Sequence, residues 1–476
     1  MTTNVGREPD ARWGESLTPG SLGRRAGGVR VPLHARSTLP NGVRLIIVPH
    51  RDVPLVAFCA VLRGGARGDP SGKAGVSALA AGLLGRGAAG RDEFAFADAV
   101  EEVGGSFSAA TGHDHITVSG QFLSQHPGRM LELLADALLA PRWSRPAFEK
   151  LRVRQIELIK AAKDSDPAEL LGTYGRAFLF RHHPYGRPVG GSEESLAAAT
   201  LEDVTRYYRA HCGGDRLALV FAGDVDAPRL ARAAAKAFGG WRGAALPLPP
   251  LARPRGPRRR RVLLVDLPEA TQSYFWIGGP GVDKHYPRRA ALELVNTLYG
   301  GRFTSLLNSA LRIRSGLSYE AASSFARGAV RGEFAIRSLV ETDHTREALD
   351  LALGTLARLK AAGISGDALE SARAYALGQY PLAFETAADW AGAFAELEIY
   401  GLTPEYIGGY EAALRAVTPE DARRVIRDAF PDPGRVQLVL IADAARVRTS
   451  LERYGPVTQM PLGRGRFAAP GRPRSA

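Results

Sequence analysis

Few side chains in this 476-residue sequence have the types and spacing that support catalysis or metal binding. Its ten histidines include two close pairs, His113 with His115 and His182 with His183. None begins His-Glu-x-x-His or His-x-x-Glu-His, spacings that put two imidazoles and a carboxylate on one helix face for zinc-dependent hydrolysis. The sequence also lacks a phosphate-binding Gly-x-x-x-x-Gly-Lys-Ser/Thr loop and a Gly-x-Ser-x-Gly nucleophile turn.

The remaining candidates have structural explanations that compete with the chemical ones. His113 and His115 lie in a stretch that alternates like a strand, so both imidazoles would face the same way. Such a pair can bind a metal, but no third ligand can be named, and polar residues on an exposed sheet face are the favoured interpretation. His182-His-Pro-Tyr-Gly-Arg predicts a structured loop. Cys59 lies in an apolar run and is expected to be inert, and Cys212 is an unlikely nucleophile beside His211.

Composition indicates a soluble globular protein with a large core. Hydrophobic residues make up 45% of the chain and charged residues 23%. Two cysteines cannot form a disulfide framework or a cysteine-rich zinc site. Neither a membrane span nor a secretory signal is recognisable, which predicts a cytoplasmic protein, or a periplasmic one if the start codon is misassigned. The net charge of +13 favours acidic partners, although it is equally explained by general composition.

Local patterns predict strands, then helices, then a buried strand within the first 240 residues. This order favours an α+β fold, a mainly antiparallel sheet with helices packed on one face. The predicted strands are 43–48, 55–62, 106–122 and 217–223, and the predicted helices are 75–84, 94–103, 127–140, 146–163 and 167–180.

The second half of the chain repeats features of the first. Thr200-Leu-Glu-Asp-Val-Thr-Arg-Tyr-Tyr-Arg aligns with Thr418-Pro-Glu-Asp-Ala-Arg-Arg-Val-Ile-Arg, with Thr, Glu, Asp and two Arg at the same offsets. Each threonine is expected to cap a helix that leads into an apolar strand ending near an aspartate, Asp224 or Asp443. We therefore expect two duplicated domains of a little over 200 residues each.

A proline- and arginine-rich stretch separates the two halves. High proline density and charge repulsion predict an extended linker, and no aromatic residues interleave with the arginines as a single-stranded nucleic-acid groove would require. We therefore expect no nucleic-acid partner. The predicted divisions are a loose tail at 1–36, a first domain at 37–243, the linker at 244–261, a second domain at 262–454 and a tail at 455–476.

Several stretches resemble the pitrilysin/insulinase family of zinc peptidases. The resemblance begins at Leu39-Pro-Asn-Gly-Val-Arg and covers the chain to about Tyr454. It includes Arg63-Gly-Gly-Ala-Arg-Gly-Asp, the Gly75 helix, Glu102-Val-Gly-Gly-Ser-Phe-Ser-Ala, His183-Pro-Tyr-Gly and Val220-Phe-Ala-Gly-Asp. The resemblance implies a duplicated α+β fold with a clam-like shape, and the duplication agrees with the repeat.

The match fails at the catalytic motif. In active members the helix after the Gly75 position carries His-x-x-Glu-His, whose histidines bind zinc and whose glutamate activates water. Ala78, Ala81 and Gly82 occupy those three positions, so the resemblance implies no catalytic residue and no metal ligand in this chain. The later family ligand falls near Glu157, one residue out of register. The sequence thus resembles a proteolytically inactive member.

The second half keeps more of the family pattern. Arg312-Ile-Arg-Ser-Gly-Leu-Ser-Tyr319 resembles the family's Arg-Glu-x-x-Gly-Leu-x-Tyr stretch, which implies that Arg312 and Tyr319 bind substrate. The competing interpretation is that Arg312 only caps or pairs on a helix surface. Two-domain members commonly pair with a second chain, so the resemblance also implies a zinc-bearing peptidase homologue as heterodimer partner, with zinc only in that partner.

Three hypotheses follow from different functional classes. The first is a non-catalytic subunit that binds peptide and partners an active zinc peptidase. The second is a standalone peptide- or protein-binding scaffold, and the third is an active metallopeptidase with a displaced metal site. Zinc content separates the third hypothesis from the others, and a partner with an intact motif would favour the first.

Overall fold

The computed structural model describes residues 28–469, which form two six-stranded sheets. The first sheet uses residues between 35 and 223, and the second uses residues between 261 and 461. The strands are β1 (Ala35–Thr38), β2 (Arg44–Pro49), β3 (Leu55–Arg63), β4 (Ser108–Thr111), β5 (His115–Leu123), β6 (Leu217–Gly223), β7 (Arg261–Asp266), β8 (Gln272–Pro280), β9 (Ala321–Ala326), β10 (Glu333–Glu341), β11 (Gln437–Ala442) and β12 (Val457–Pro461).

Seventeen α-helical segments occur among the described residues, eight before strand β7 in the sequence and nine after it. They are α1 (Val76–Leu84), α2 (Glu93–Glu101), α3 (Pro127–Leu139), α4 (Arg145–Ser165), α5 (Ala168–Phe180), α6 (Glu193–Ala197), α7 (Leu201–His211), α8 (Ala227–Phe238), α9 (Arg289–Asn296), α10 (Leu306–Asn308), α11 (Thr345–Ala362), α12 (Gly366–Gln379), α13 (Ala387–Tyr400), α14 (Glu405–Gly408), α15 (Tyr410–Ala416), α16 (Pro419–Asp428) and α17 (Ala444–Leu451).

The two sheets share one topology, as the sequence repeat predicts. Their strand orders are β1-β2-β6-β3-β5-β4 and β12-β7-β11-β8-β10-β9. In each sheet one central pair is parallel, β2 with β6 and β7 with β11, and the next three pairs are antiparallel. The outermost strand differs, because β1 pairs antiparallel with β2 whereas β12 pairs parallel with β7. The predicted α+β class with two duplicated, mainly antiparallel sheets is confirmed.

Each sheet also receives one helix from the opposite half of the chain. Helix α13 packs on β3 and β6 of the first sheet, where Trp390 and Phe394 join the core around Val220. Helix α5 packs on β8 and β11 of the second sheet, where Gly175 lets the helix approach Trp276, since a Cβ there would lie 2.6 Å from the indole. Helices therefore cover both faces of each sheet, not only the one face expected.

Both expected threonine caps form. The Thr200 hydroxyl accepts from the Asp203 backbone N–H while the Asp203 carboxylate accepts from the Thr200 N–H, and Thr418 and Asp421 make the same reciprocal pair. These capping boxes begin α7 and α16, each of which precedes a buried central strand. The sequence repeat thus corresponds to a repeat of structure.

Three local expectations need correction. Residues 106–122 form two strands, not one, because the chain turns between Thr111 and His115. The predicted tails at 1–36 and 455–476 each contain strand residues, since β1 begins at Ala35 and β12 occupies Val457–Pro461. Both strands are short and weakly apolar, so long-range pairing with β2 and β7 determines them, not local pattern. Residues 1–27 and 470–476 lie outside the described residues.

The cysteine and linker expectations can also be compared with the structure. Cys59 and Cys212 are buried and form no disulfide. Burial raises the pKa of the Cys59 thiol to about 12, which agrees with the expected inert Cys59. Residues 239–260, between α8 and β7, form no helix or strand. Among residues 28–469, no helix combines the length and apolar character needed to cross a membrane.

Candidate functional site

Helix α1, which carries the three motif positions, is held firmly at its start. Gly75 adopts a left-handed conformation with φ of 97°, and a Cβ there would lie 2.8 Å from the Gly191 Cα. The buried Asp69 carboxylate accepts hydrogen bonds from the N–H groups of Gly75 and Ser77 at 2.8 and 2.7 Å. Burial nevertheless raises the pKa of Asp69 to about 6. The position of α1 is therefore fixed by backbone close approach and by a buried cap.

The motif positions on α1 are small and apolar, and one of them faces α4. Ala81 is only 1% exposed and belongs to the core, whereas Ala78 and Gly82 are partly exposed. A Cβ on Gly82 would lie 2.8 Å from Cδ2 of the buried Leu151. Alanine and glycine side chains supply no metal donor and no base, and an apolar side chain lies where a ligand would have to enter. These residues do not fit a zinc ion.

Glu157, near which the later family ligand falls, lies away from the motif positions. Glu157 is exposed on α4 and pairs with Lys160 at 3.0 Å. It lies six residues, or roughly 9 Å along the helix, beyond Leu151, the residue that faces Gly82. The contact between Leu151 and Gly82 was not predicted from the sequence. The helical spacing of Leu151 from Ala147 and Phe148 does mark it as part of the buried face of α4.

The two close histidines are not brought together as metal ligands. His113 lies in the turn before β5 and His115 is the first residue of that strand. Burial lowers the pKa of both imidazoles, that of His113 to about 3, so both are neutral at pH 7. Within residues 28–469 no group of three or more His, Cys, Asp or Glu side chains is arranged to hold a metal. The expectation that the pair shares one continuous strand is wrong, because the chain turns at Gly112.

An open strand edge lies beside α1. Strand β4 is at the end of its sheet, where it pairs with β5, and the Thr111 hydroxyl donates to the Ser77 carbonyl of α1 at 3.4 Å. Ser106 and Gly112 N–H groups donate to β5 carbonyls. Because N–H directions alternate along an antiparallel strand, the N–H groups of Ala109 and Thr111 face away from the sheet. This edge can accept an extended peptide as an additional strand.

Arg312 and Tyr319 lie close together in the second half. Arg312 is on a helical turn spanning Ser309–Arg314, and its guanidinium donates to the Tyr319 carbonyl at 2.7 Å. The same guanidinium lies over the Phe303 ring at 4.8 Å from its centroid. The Tyr319 side chain is 79% exposed. Arg312 thus holds the backbone of the loop while the tyrosine side chain remains accessible.

Comparison with known proteins gives consistent matches. The family model described as Insulinase (Peptidase family M16) matches residues 49–193, and the model described as Peptidase M16 inactive domain matches residues 198–375. An uncharacterized zinc protease of Streptomyces coelicolor is 25% identical over 400 residues, which cover 83% of this chain and 87% of that protein. A probable mitochondrial-processing peptidase subunit beta of Arabidopsis thaliana is 22% identical over 42% of this chain and 38% of its own length.

Solved structures match at the level of fold. The crystal structure of a peptidase M16 inactive domain from Pseudomonas fluorescens superposes with a TM-score of 0.80 at 21% identity, covering 86% of this chain and 98% of the other. A protease from Helicobacter pylori gives a TM-score of 0.79 at 20% identity, with 86% and 99% coverage. Together the two family models span about two thirds of the sequence in the expected order. The chain therefore belongs to the pitrilysin/insulinase family, peptidase family M16.

Proposed function

We propose that this chain is a proteolytically inactive family member that binds peptide and partners an active zinc peptidase chain. The observation that carries the proposal is the motif helix. Ala78, Ala81 and Gly82 occupy the positions of the two zinc-binding histidines and the water-activating glutamate, and Leu151 packs against Gly82. Family hydrolysis requires a Lewis acid and a base, and this helix offers neither. Zinc is expected only in the partner.

Peptide binding is supported by features that the loss of the motif leaves intact. The open edge of β4 offers outward N–H groups at Ala109 and Thr111, which can pair with an extended peptide backbone. Arg312 and the exposed Tyr319 keep the spacing of the family's substrate-binding stretch. Backbone pairing gives affinity with little dependence on peptide sequence, so a range of extended peptides would bind.

Partnering is supported by the likeness to a processing peptidase subunit. The Arabidopsis relative is named a subunit beta, so its own name describes a multi-chain enzyme. A chain without catalytic residues can contribute binding surface and closure to such an assembly. Co-purification from the native cells followed by mass analysis should recover a family member with an intact His-x-x-Glu-His motif. Recovery of the chain alone at native expression levels would instead favour a standalone peptide- or protein-binding scaffold.

The names of the relatives support a competing hypothesis, an active metallopeptidase with a displaced metal site. Several relatives are called uncharacterized zinc proteases. A displaced site would require a ligand set other than the α1 positions. Zinc analysis of the purified chain distinguishes this hypothesis, because one equivalent of tightly held zinc requires such a site.

Peptide binding at β4 can be tested by removing a single outward backbone N–H group. Ala109→Pro removes an outward N–H but no N–H that bonds to β5, so the β4–β5 ladder is preserved. The matched control is Ala109→Ser, which keeps the N–H. Fluorescence anisotropy with a labelled extended ten-residue peptide should show binding lost in the proline variant and retained in the control. Equal affinity of both variants would place the peptide elsewhere.

A further inference from the structure

Three turns from distant parts of the sequence meet between the two sheets, and we call this meeting point the inter-sheet junction. The first turn, 112–114, joins β4 to β5, and the second, 327–332, joins β9 to β10. The third is the helical turn Pro184–Gly186 of the His-Pro-Tyr-Gly stretch. The junction therefore lies at the ends of two edge strands, β4 of the first sheet and β9 of the second.

Asp114 and Tyr185 make the hydrogen bonds that join the sheets at this junction. The Tyr185 hydroxyl donates to Asp114 Oδ2 at 2.7 Å, and the Ala329 N–H donates to the same oxygen at 3.1 Å. Tyr185 Oη also accepts from the Val330 N–H at 3.4 Å. Asp114 is 6% exposed and Tyr185 4%. Hydrogen bonds to a buried carboxylate are among the stronger ones in proteins.

The surroundings keep Tyr185 in one position. His183 Nδ1 accepts from the Tyr185 N–H at 3.1 Å, and His183 Nε2 lies 2.8 Å from the Ala252 carbonyl of the linker, so one neutral tautomer satisfies both contacts. A Cβ on Gly328 would lie 2.4 Å from Tyr185 Oη, so the β9–β10 turn reaches the hydroxyl only because residue 328 is glycine. Burial raises the pKa of Tyr185, which keeps its hydroxyl a donor at neutral pH.

The bonds to Asp114 cross between two separately packed units. Tyr185 belongs to the core that α5 forms with the second sheet, together with Trp276 and Leu263. Asp114 belongs to the hairpin of the first sheet. A cavity of about 130 Å³, partly walled by Arg176 and Glu333, lies beside these bonds. Packing beside these hydrogen bonds is therefore incomplete.

We propose that Asp114 and Tyr185 act as a latch that fixes the separation of the two edge strands β4 and β9. Each edge strand leads directly into a turn that the latch holds, so movement at the junction is transmitted to both edges. Asp114 and Tyr185 are positioning residues in this account, since they set the geometry of surfaces that other residues present. The proposal concerns distance, and its test does not depend on peptide binding.

The edge separation can be measured with spin labels. Ser108→Cys and Ser324→Cys place one exposed label on β4 and one on β9. The native Cys59 and Cys212 are buried, and burial raises the pKa of both thiols, so the introduced cysteines react first. Pulsed electron–electron double resonance on the labelled full chain should give one narrow distribution of distances between the two labels.

Removing the latch should then change that distribution. Tyr185→Phe deletes the hydroxyl that bonds to Asp114, and separated conformers should then be populated enough to give a broader or shifted distribution. Asp114→Ala should do the same, and Asp114→Asn should recover part of the native distribution because its amide oxygen still accepts.

Tyr208→Phe is the matched control. Tyr208 is also a buried tyrosine, but its hydroxyl donates to the Leu138 carbonyl within the first half, so its loss should leave the distance unchanged. A native distribution for Tyr185→Phe would overturn the proposal even if Asp114→Ala failed to fold. Equal broadening in Tyr185→Phe and Tyr208→Phe would also overturn it, since general destabilisation would then explain both.

Discussion

Restoring the family motif on α1 should destabilise the chain without creating a zinc site. The variant combines Ala78→His, Ala81→Glu and Gly82→His. A side chain at 82 overlaps Leu151, because its Cβ alone would lie 2.8 Å from Cδ2, and such overpacking costs about 1–3 kcal/mol. Ala81 is 1% exposed, so a glutamate there buries a carboxyl group without a partner, which costs about 1–3 kcal/mol more. The combined loss of about 2–6 kcal/mol is a large part of the roughly 5–15 kcal/mol that stabilises a typical protein.

A fourth substitution tests whether residue 151, and not Glu157, faces the restored motif. Leu151→Glu replaces the apolar side chain that faces residue 82 with a carboxylate. Urea unfolding should show no recovery of stability in the four-residue variant, because residue 151 is buried and its carboxyl group also loses water. Isothermal titration with zinc should nevertheless show tighter binding than in the triple variant. Adding Glu157→Ala to the triple variant is the control and should change neither. A triple variant as stable as the native chain that binds one equivalent of zinc would refute the reasoning.

Three further predictions concern binding, acid stability and association. Arg312→Ala should weaken peptide affinity about tenfold but lower the melting temperature only slightly, because the side chain is exposed. Arg314→Ala, on the same turn, removes the same charge and is the control. Equal effects of the two substitutions on affinity would favour a merely structural Arg312. Burial lowers the pKa of His113 to about 3, so the unfolded chain binds a proton below about pH 6.5 that the folded chain excludes, and stability falls as the pH decreases. His113→Gln should reduce that dependence by up to ~1.4 kcal/mol per pH unit in urea unfolding between about pH 7 and pH 4.5, whereas an unchanged slope would contradict a neutral buried imidazole. If the net charge of +13 steers an acidic partner, the association rate should fall several-fold from low to physiological salt with little change in the dissociation rate, and a salt-independent rate would show that the charge has no such role.

The features that sequence predicted well are those set by neighbouring residues. The Thr200 and Thr418 caps follow from side chains three residues apart, and the strands near 43–48, 55–62 and 217–223 follow from short apolar runs. Each of these signals depends on only a few adjacent side chains. The duplicated α+β class could therefore be inferred from local patterns and one repeat.

The features that sequence missed depend on contacts between distant segments. Nothing in the sequence of α13 indicates that it packs on the first sheet, and nothing in β12 indicates parallel pairing with β7. Leu151 faces Gly82 because of the way α1 and α4 cross, and the number of residues between them does not determine that crossing. The role of Tyr185 at the inter-sheet junction likewise requires three turns to meet.

The central claim, that this chain lacks its own zinc-dependent peptidase site, is tested most directly by metal analysis and a peptide-cleavage assay on the same sample. The purified chain is washed with chelator, dialysed against zinc, and analysed for bound metal before it is incubated with a quenched fluorescent peptide mixture. Because Ala78, Ala81 and Gly82 cannot bind metal or accept a proton, we expect far less than one zinc per chain and no cleavage above the buffer rate. One tightly bound zinc per chain together with cleavage that chelator abolishes would contradict the account.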